Sequence, residues 1–245
     1  MDEAQFKAHL ENEHQSSTFS AYLQEFVYGG VDGIVTTFAV VAGFSGASMG
    51  EHALNLSIIT VLLFGLANLF ADGAAMGLGS FLSVRSQQHL FKSTYDQERR
   101  EIERSYDYEI EETEYIFREK GFSKDDAKAL TALVAKNPDY WATFMVEHEC
   151  DIDNPEGSSA LYNGLATFVS FLFFGAIPLL PYFFVAQVDQ AFFMSIGFTA
   201  FALILLGFFR VWVTKEKLWL SILETCLVGS TAAFLAYLVG FLFKA

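Results

Sequence analysis

Residues 66–112 read LANLFADGAAMGLGSFLSVRSQQHLFKSTYDQERREIERSYDYEIEE. The apolar first part holds an amide, a carboxylate and a thioether at helical spacing: Asn68, Asp72 and Met76. Asp72 and Met76 are i, i+4 neighbours, so a helix puts them on one face, with Asn68 one turn before. Asp32, in the preceding apolar stretch VYGGVDGIVTTFAVVAGFSGASMG, is a second carboxylate in an apolar setting. An uncompensated aspartate at the centre of a spanning helix costs on the order of 3 kcal/mol, so two of them call for a function. Hard and soft metal-ligand atoms inside a membrane suit a divalent cation path.

The second part is acidic. Glu98-x-x-Glu101 and Glu109-x-x-Glu112 are two ExxE pairs offset by eleven residues. Spacing of i, i+3 puts both carboxylates of a pair on one face, and all four fall within about 80° on one helix. Along an unbroken helix, however, the pairs lie about 16 Å apart, too far for one ion with metal–oxygen distances of about 2–2.5 Å. Neither Gly nor Pro interrupts residues 80–112. Either the helix still breaks near residues 105–108 and folds back, or each pair completes its site with other helices or a second subunit. Met145, Glu147, His148, Glu149 and Cys150 are the completing ligands within the same acidic region. Carboxylates with imidazole and thioether suit Fe2+, Mn2+, Co2+ or Zn2+ better than Ca2+ or Mg2+.

These groups need elements to hold them. Of the 245 residues 53% are hydrophobic and 18% charged, against about 25% charged in an ordinary soluble domain. The charges are segregated: residues 85–160 hold 18 acidic and 10 basic residues, while long stretches elsewhere hold almost none. This pattern predicts an all-α polytopic membrane protein. Five transmembrane helices flank a cytoplasmic three-helix metal-binding insert between spans 2 and 3. Its boundaries are 1–25 for an N-terminal amphipathic segment with Phe6, Leu10 and His14 on one face, 26–84 for spans 1 and 2, 85–160 for the acidic insert, and 161–245 for spans 3–5. Span 3 covers 161–185, with Pro178 and Pro181 near its end; each span is long enough for a core of about 30 Å.

Inside the insert, Gly121 stops one helix, Ser123 with Asp126 opens the next, and Asn137-Pro138 starts the last, DYWATFMVEHEC. Lys and Arg crowd the insert and the 210–217 connection and are missing from the loops at 46–55 and 187–190. The N-terminus and insert are therefore expected on the cytoplasmic side. Glu224, near the cytoplasmic end of span 5, either pairs with Lys215 or Lys217 or handles protons. A net charge of -14 excludes nucleic acid as a partner. Cys150 and Cys226 are not expected to form a disulfide, and the acidic, polar N-terminus does not read as a signal peptide.

The chain resembles the vacuolar iron transporter family over nearly its whole length. The resemblance rests on VDGIVTTFAVVAGFSGA, ADGAAMGLGSFLS, the glutamate-rich insert, WATFMVEHE and IPLLPY. It implies five spans per subunit, a homodimer with the ion path at the subunit interface, and export of Fe2+, often also Mn2+, in exchange for protons. By motif, the family's first-span aspartate falls on Asp32 and its second-span methionine on Met76. The paired glutamates fall on Glu98, Glu101, Glu109 and Glu112, and the Met/Glu cluster on Met145, Glu147 and Glu149. A register through Glu101, Glu103, Glu111 and Glu114 stays open. The chain departs from the plant pattern at Asn68, where a glutamate is expected; the carboxylate comes one turn later, as Asp72.

The expected function is a proton-coupled exporter of Fe2+, with Mn2+, Zn2+ or Co2+ as further ions, with no organic cofactor and no enzymatic activity. The rivals are a membrane-anchored di-iron carboxylate ferroxidase, disfavoured because His148 follows Glu147 directly and not at the ExxH spacing, and a metal-sensing or storage protein. The compact length favours a bacterial plasma membrane over a vacuolar one.

Overall fold

The computed structural model describes residue 5 and residues 22–48, 57–155, 157–214 and 217–242. All regular secondary structure among them is helical. Helix α1 covers Leu23–Ser48, α2 Ile58–Arg104, α3 Tyr106–Glu119, α4 Lys124–Val134 and α5 Pro138–His148. Then come α6 (Ala160–Ala176), a 3₁₀ turn (Ile177–Leu179), α7 (Pro181–Phe184), α8 (Val188–Thr214) and α9 (Leu218–Leu242). The chain forms two compact units: Met1–Phe81 with Ala160–Ala245, and Leu82–Ser159. The amphipathic N-terminal helix expected around Phe6, Leu10 and His14 lies outside the described residues, as does the loop at 49–56.

In the first unit α1 packs against α6, α8 and α9, and glycines let α1 and α6 meet backbone to backbone. A Cβ at Gly29 of α1 would stand 2.6 Å from the carbonyl oxygen of Thr167, and one at Gly33 would overlap the carbonyl of Phe171. Helix α2 approaches in the same way: a Cβ at Gly164 would lie 2.6 Å from the carbonyl oxygen of Gly77. Phe38, Val41, Leu69, Phe171 and Leu179 form the buried core between these helices.

Span 3 is not the single helix expected over 161–185. Pro178 and Pro181 lack amide hydrogens, so α6 ends at Ala176 and gives way to the 3₁₀ turn and the short α7. The hydroxyl of Ser195 on α8 donates to the freed carbonyl of Pro178 at 2.7 Å.

Four helices among the described residues are long and apolar enough to cross a membrane: Leu23–Ser45, Ile58–Arg104, Ala160–Leu179 and Val188–Trp212. In α9 the apolar stretch Leu218–Ala232 is shorter. Phe70, Phe173, Phe193, Phe201 and Trp219 are each more than half exposed, which an apolar solvent tolerates and water does not. This is a multi-pass membrane protein. Helix α2, with 47 residues, is about 70 Å long and more than twice a bilayer core. Its apolar stretch ends at Val84, and charged residues follow from Arg85 onward.

The second unit packs the end of α2 with α3, α4 and α5 around Ile102, Phe117, Trp141, Phe144 and Met145. The break between α2 and α3 falls at Ser105 (φ -131, ψ 39), with no glycine or proline to announce it. The Ser105 amide still donates to Glu101, and its carbonyl accepts from Tyr108 and Glu109, which opens α3. At the far end of α3, Gly121 takes φ 96 and donates to Arg118, and Phe122 donates to Phe117. The two phenyl rings meet edge to face at 5.9 Å, closing a Schellman cap. Ser123 and Asn137 cap α4 and α5 by accepting from the amides of Asp126 and Tyr140.

Candidate metal site

Three helices each bring one carboxylate to a common point. Glu98 comes from the last turns of α2, Glu109 from the first turn of α3, and Glu149 caps α5. One oxygen from each lies within 4.8 Å of the others. The turn at Ser105 makes this possible, folding Glu109 back beside Glu98. At the other wall, Asp151 adopts the left-handed φ of 55 that aspartate tolerates, ending α5 at His148, two residues short of the expected end.

Glu98 and Glu109 are only 3% exposed, and in each the Oε2 atom is buried with no hydrogen-bond partner. Burial, then the charges of Glu149, Glu101 and Glu112, push the Glu98 carboxyl up to about 7, against a weaker opposing hydrogen bond from Cys150. Burial followed by Glu112, Glu98, Glu149 and Glu101 pushes Glu109 up to about 7 as well. Glu149, more exposed, is raised by burial and by the charges of Glu112 and Glu101. The Cys150 thiol donates to Glu98 Oε1 across 3.8 Å, and burial with the Glu98 and Glu149 charges pushes it up to about 11. Such a group of crowded, dehydrated carboxylates lacks a positive charge. A divalent cation would supply it and satisfy the two orphaned oxygens.

Glu101 and Glu112 face this point closely enough to act on it electrostatically; Glu101 also accepts from Gln97 at 3.1 Å. Glu147 is not part of the group. Met145 is fully buried in the apolar core, and its sulfur accepts from the Thr113 hydroxyl at 3.3 Å. Thr113 is itself held by the Trp141 indole N–H at 2.8 Å, a buried polar chain that sequence reasoning misses. Its only advance signal is the position of Thr113 one turn after Glu109 on the same face. Glu147, two residues from Glu149, points about 200° away on α5. In the alternative register, Glu103 is 69% exposed and pairs with Arg99 at 4.0 Å, and Glu111 is exposed. The His148 ring stands edge-on to Phe144 at 4.4 Å.

In the first unit Asn68 and Asp72 are joined: Asn68 Nδ2 donates to Asp72 Oδ2 at 2.7 Å. Asp32, half-buried on α1, lies near enough for the Asp72 charge to act on it. Met76, one turn beyond Asp72, packs against the apolar core around Leu69 and Phe171. Glu224 pairs across helices with Arg210 of α8 at 2.9 Å; of the lysines expected for it, Lys215 lies outside the described residues.

The VIT family model matches residues 23–241. A vacuolar iron transporter of Centaurea cyanus is 32% identical over 94% of this chain and 91% of its own. Vacuolar iron transporter 1 of Oryza sativa subsp. japonica is 28% identical over 96% and 91%. A vacuolar iron transporter of Toxoplasma gondii is 32% identical over 95% and 78%. On these matches the chain belongs to the VIT family, whose members are named as transporters and not as enzymes.

Proposed function

We propose that this protein is a secondary transporter that exports Fe2+, and with it Mn2+ and other divalent transition ions, from the cytosol in exchange for protons. One observation carries the reading: three carboxylates from three helices converge within 4.8 Å, two of them buried and each with an oxygen lacking any partner. The names of the relatives support iron as the ion. In this reading α9 is the fifth span and two copies pair as a homodimer. The segment Leu82–Ser159 collects the ion on the cytosolic side, the side its many Lys and Arg residues favour.

Glu98, Glu109 and Glu149 hold the ion, and Glu101 and Glu112 deepen the negative potential around it. The ion then passes to Asp32, Asp72 and Met76, with Asn68 fixing one oxygen of Asp72 so that the other is free to bind. A carboxylate that takes a cation gives up its proton, so ion and proton compete for one group. Exposure of that group first to one side and then to the other turns competition into exchange.

The test is metal uptake into proteoliposomes carrying the full chain, with Asp32→Ala and Asp72→Ala beside wild type. Each substitution is expected to abolish proton-driven Fe2+ and Mn2+ uptake. Undiminished uptake in both variants would sink the reading.

A further inference from the structure

We propose that Thr113 is a positioning residue of the Glu98–Glu109–Glu149 site. By tying the Glu109 turn of α3 to Trp141 of α5, its hydroxyl sets the preference of the site for small divalent transition ions such as Mn2+ over Ca2+. The inference rests on reading those three carboxylates as a metal site, and deepens it by naming what selects the ion.

A stripe on α3 meets a stripe on α5. Tyr106, Glu109 and Thr113 follow one another along α3 at spacings of three and four. Trp141, Met145 and the cap residue Glu149 follow at spacings of four on α5. Each set shares one helix face. The Thr113 hydroxyl accepts from the Trp141 indole N–H at 2.8 Å, and the Tyr106 ring stands edge-on to Trp141 at 5.4 Å. Glu109 and Glu149 bring a carboxylate oxygen of each within 4.8 Å of the other. The contact that buries Trp141 therefore also fixes how far apart the two carboxylates stand.

Thr113 is the polar joint of this contact, and both it and Trp141 are fully buried. Its oxygen takes the indole N–H, and its single hydrogen is shared between the Glu109 carbonyl at 2.7 Å and Met145 Sδ at 3.3 Å. The hydroxyl thus holds the main chain of Glu109 itself against α5. Breaking the joint strands a buried N–H away from water, so it does not loosen freely. Independently of Thr113, Glu109 is only 3% exposed and buries an unpaired Oε2. A shift of its turn is felt at the site and not absorbed by solvent.

A rigid frame discriminates between ions by size. Ca2+ takes about six to eight oxygens at about 2.3–2.6 Å in adaptable geometry, whereas smaller divalent ions need bonds of about 2.0–2.2 Å. A joint that keeps Glu109 close to Glu149 favours the smaller ion. Without it, the carboxylates are free to spread around the larger one.

The experiment titrates the purified full-length protein in detergent with Mn2+, read by electron paramagnetic resonance, and with Ca2+, read by calorimetry. Thr113→Val and Trp141→Phe break the joint from its two ends, and Thr113→Ser keeps the hydroxyl. Thr113→Val and Trp141→Phe are expected to weaken Mn2+ binding by about tenfold or more, while Ca2+ affinity stays within about twofold. Thr113→Ser should bind both ions within about twofold of wild type. Folded Thr113→Val and Trp141→Phe with wild-type Mn2+ affinity overturn the role of Thr113 and leave the carboxylate site standing. Equal losses for the two ions overturn the selectivity. Failure of both variants to give folded protein overturns it too, because the joint is then a need of the fold and not a setting of the site. Wild-type Mn2+ binding that is absent, or that Glu98→Gln leaves unchanged, removes the site itself, and the inference with it.

Discussion

Glu98 lies in the last turns of one helix and Glu109 in the first turn of the next, yet a carboxylate oxygen of each lies within 4.8 Å of the other. Continued as one helix, the same residues would stand about 16 Å apart. The turn at Ser105 thus converts two carboxylate pairs on one stripe into one crowded site. The cost of that crowding governs how the site responds to protons and to metal.

Metal affinity should depend on pH in a defined direction. Glu98 and Glu109 both titrate at about 7, so below that pH an ion must displace their protons. Affinity is expected to climb by up to about tenfold per pH unit for each proton displaced, then flatten above about pH 7. A Mn2+ titration followed by electron paramagnetic resonance across this range checks it; a flat profile contradicts it.

The same shifts bear on stability. Folded-state values of about 7 lie above the ordinary 4.5, so the metal-free insert holds these protons more tightly than the unfolded chain does. The stability so gained is fully present below about pH 4.5 and is lost as pH rises through 7. At pH 8, Glu98→Gln should therefore stabilise the metal-free insert by about 1–3 kcal/mol and remove most of the stabilisation that added Mn2+ gives wild type. Denaturation followed by Trp141 fluorescence reads both effects.

Thr113 and Met145 test the division between core and site. Thr113→Val leaves the buried Trp141 N–H without its acceptor and should cost about 1–3 kcal/mol. Met145→Leu fills nearly the same volume and should cost less than about 1.5 kcal/mol, with Mn2+ affinity unchanged. Loss of Mn2+ binding in Met145→Leu would return its sulfur to the ligand set.

In the membrane unit, Gly33→Ala and Gly79→Ala make a matched pair. A Cβ at Gly33 meets the backbone of Phe171, whereas one at Gly79 meets nothing within 4 Å. Gly33→Ala is expected to give aggregated or poorly expressed protein, and Gly79→Ala to behave as wild type or gain about 0.5–1 kcal/mol. Size-exclusion profiles in detergent separate the two outcomes.

The features legible in the chain alone are those that depend on spacing. The Asn68–Asp72 contact is an i, i+4 relation, and the caps at Gly121, Ser123 and Asn137 are local chemistry. The break at Ser105 is open between two geometries in the sequence, because nothing in RSYDY forbids a helix. It is a tertiary event, in which burial of Ile102, Phe117 and Trp141 outweighs helix continuity. The 3.8 Å approach of Cys150 to Glu98 and the Arg210–Glu224 pair join residues far apart in the chain or on separate helices, and no local pattern encodes either. Pro178 and Pro181 are visible in the sequence, but their combined effect is larger than a bend: together they end α6.

The most direct measurement is simultaneous Fe2+ or Mn2+ entry and internal pH in proteoliposomes with an imposed pH gradient. Proton-coupled export predicts metal entry with matching proton exit, both lost in Asp72→Ala and both slowed in Glu98→Gln at low metal concentration. Metal entry with no accompanying proton movement, or no entry at all, would contradict it.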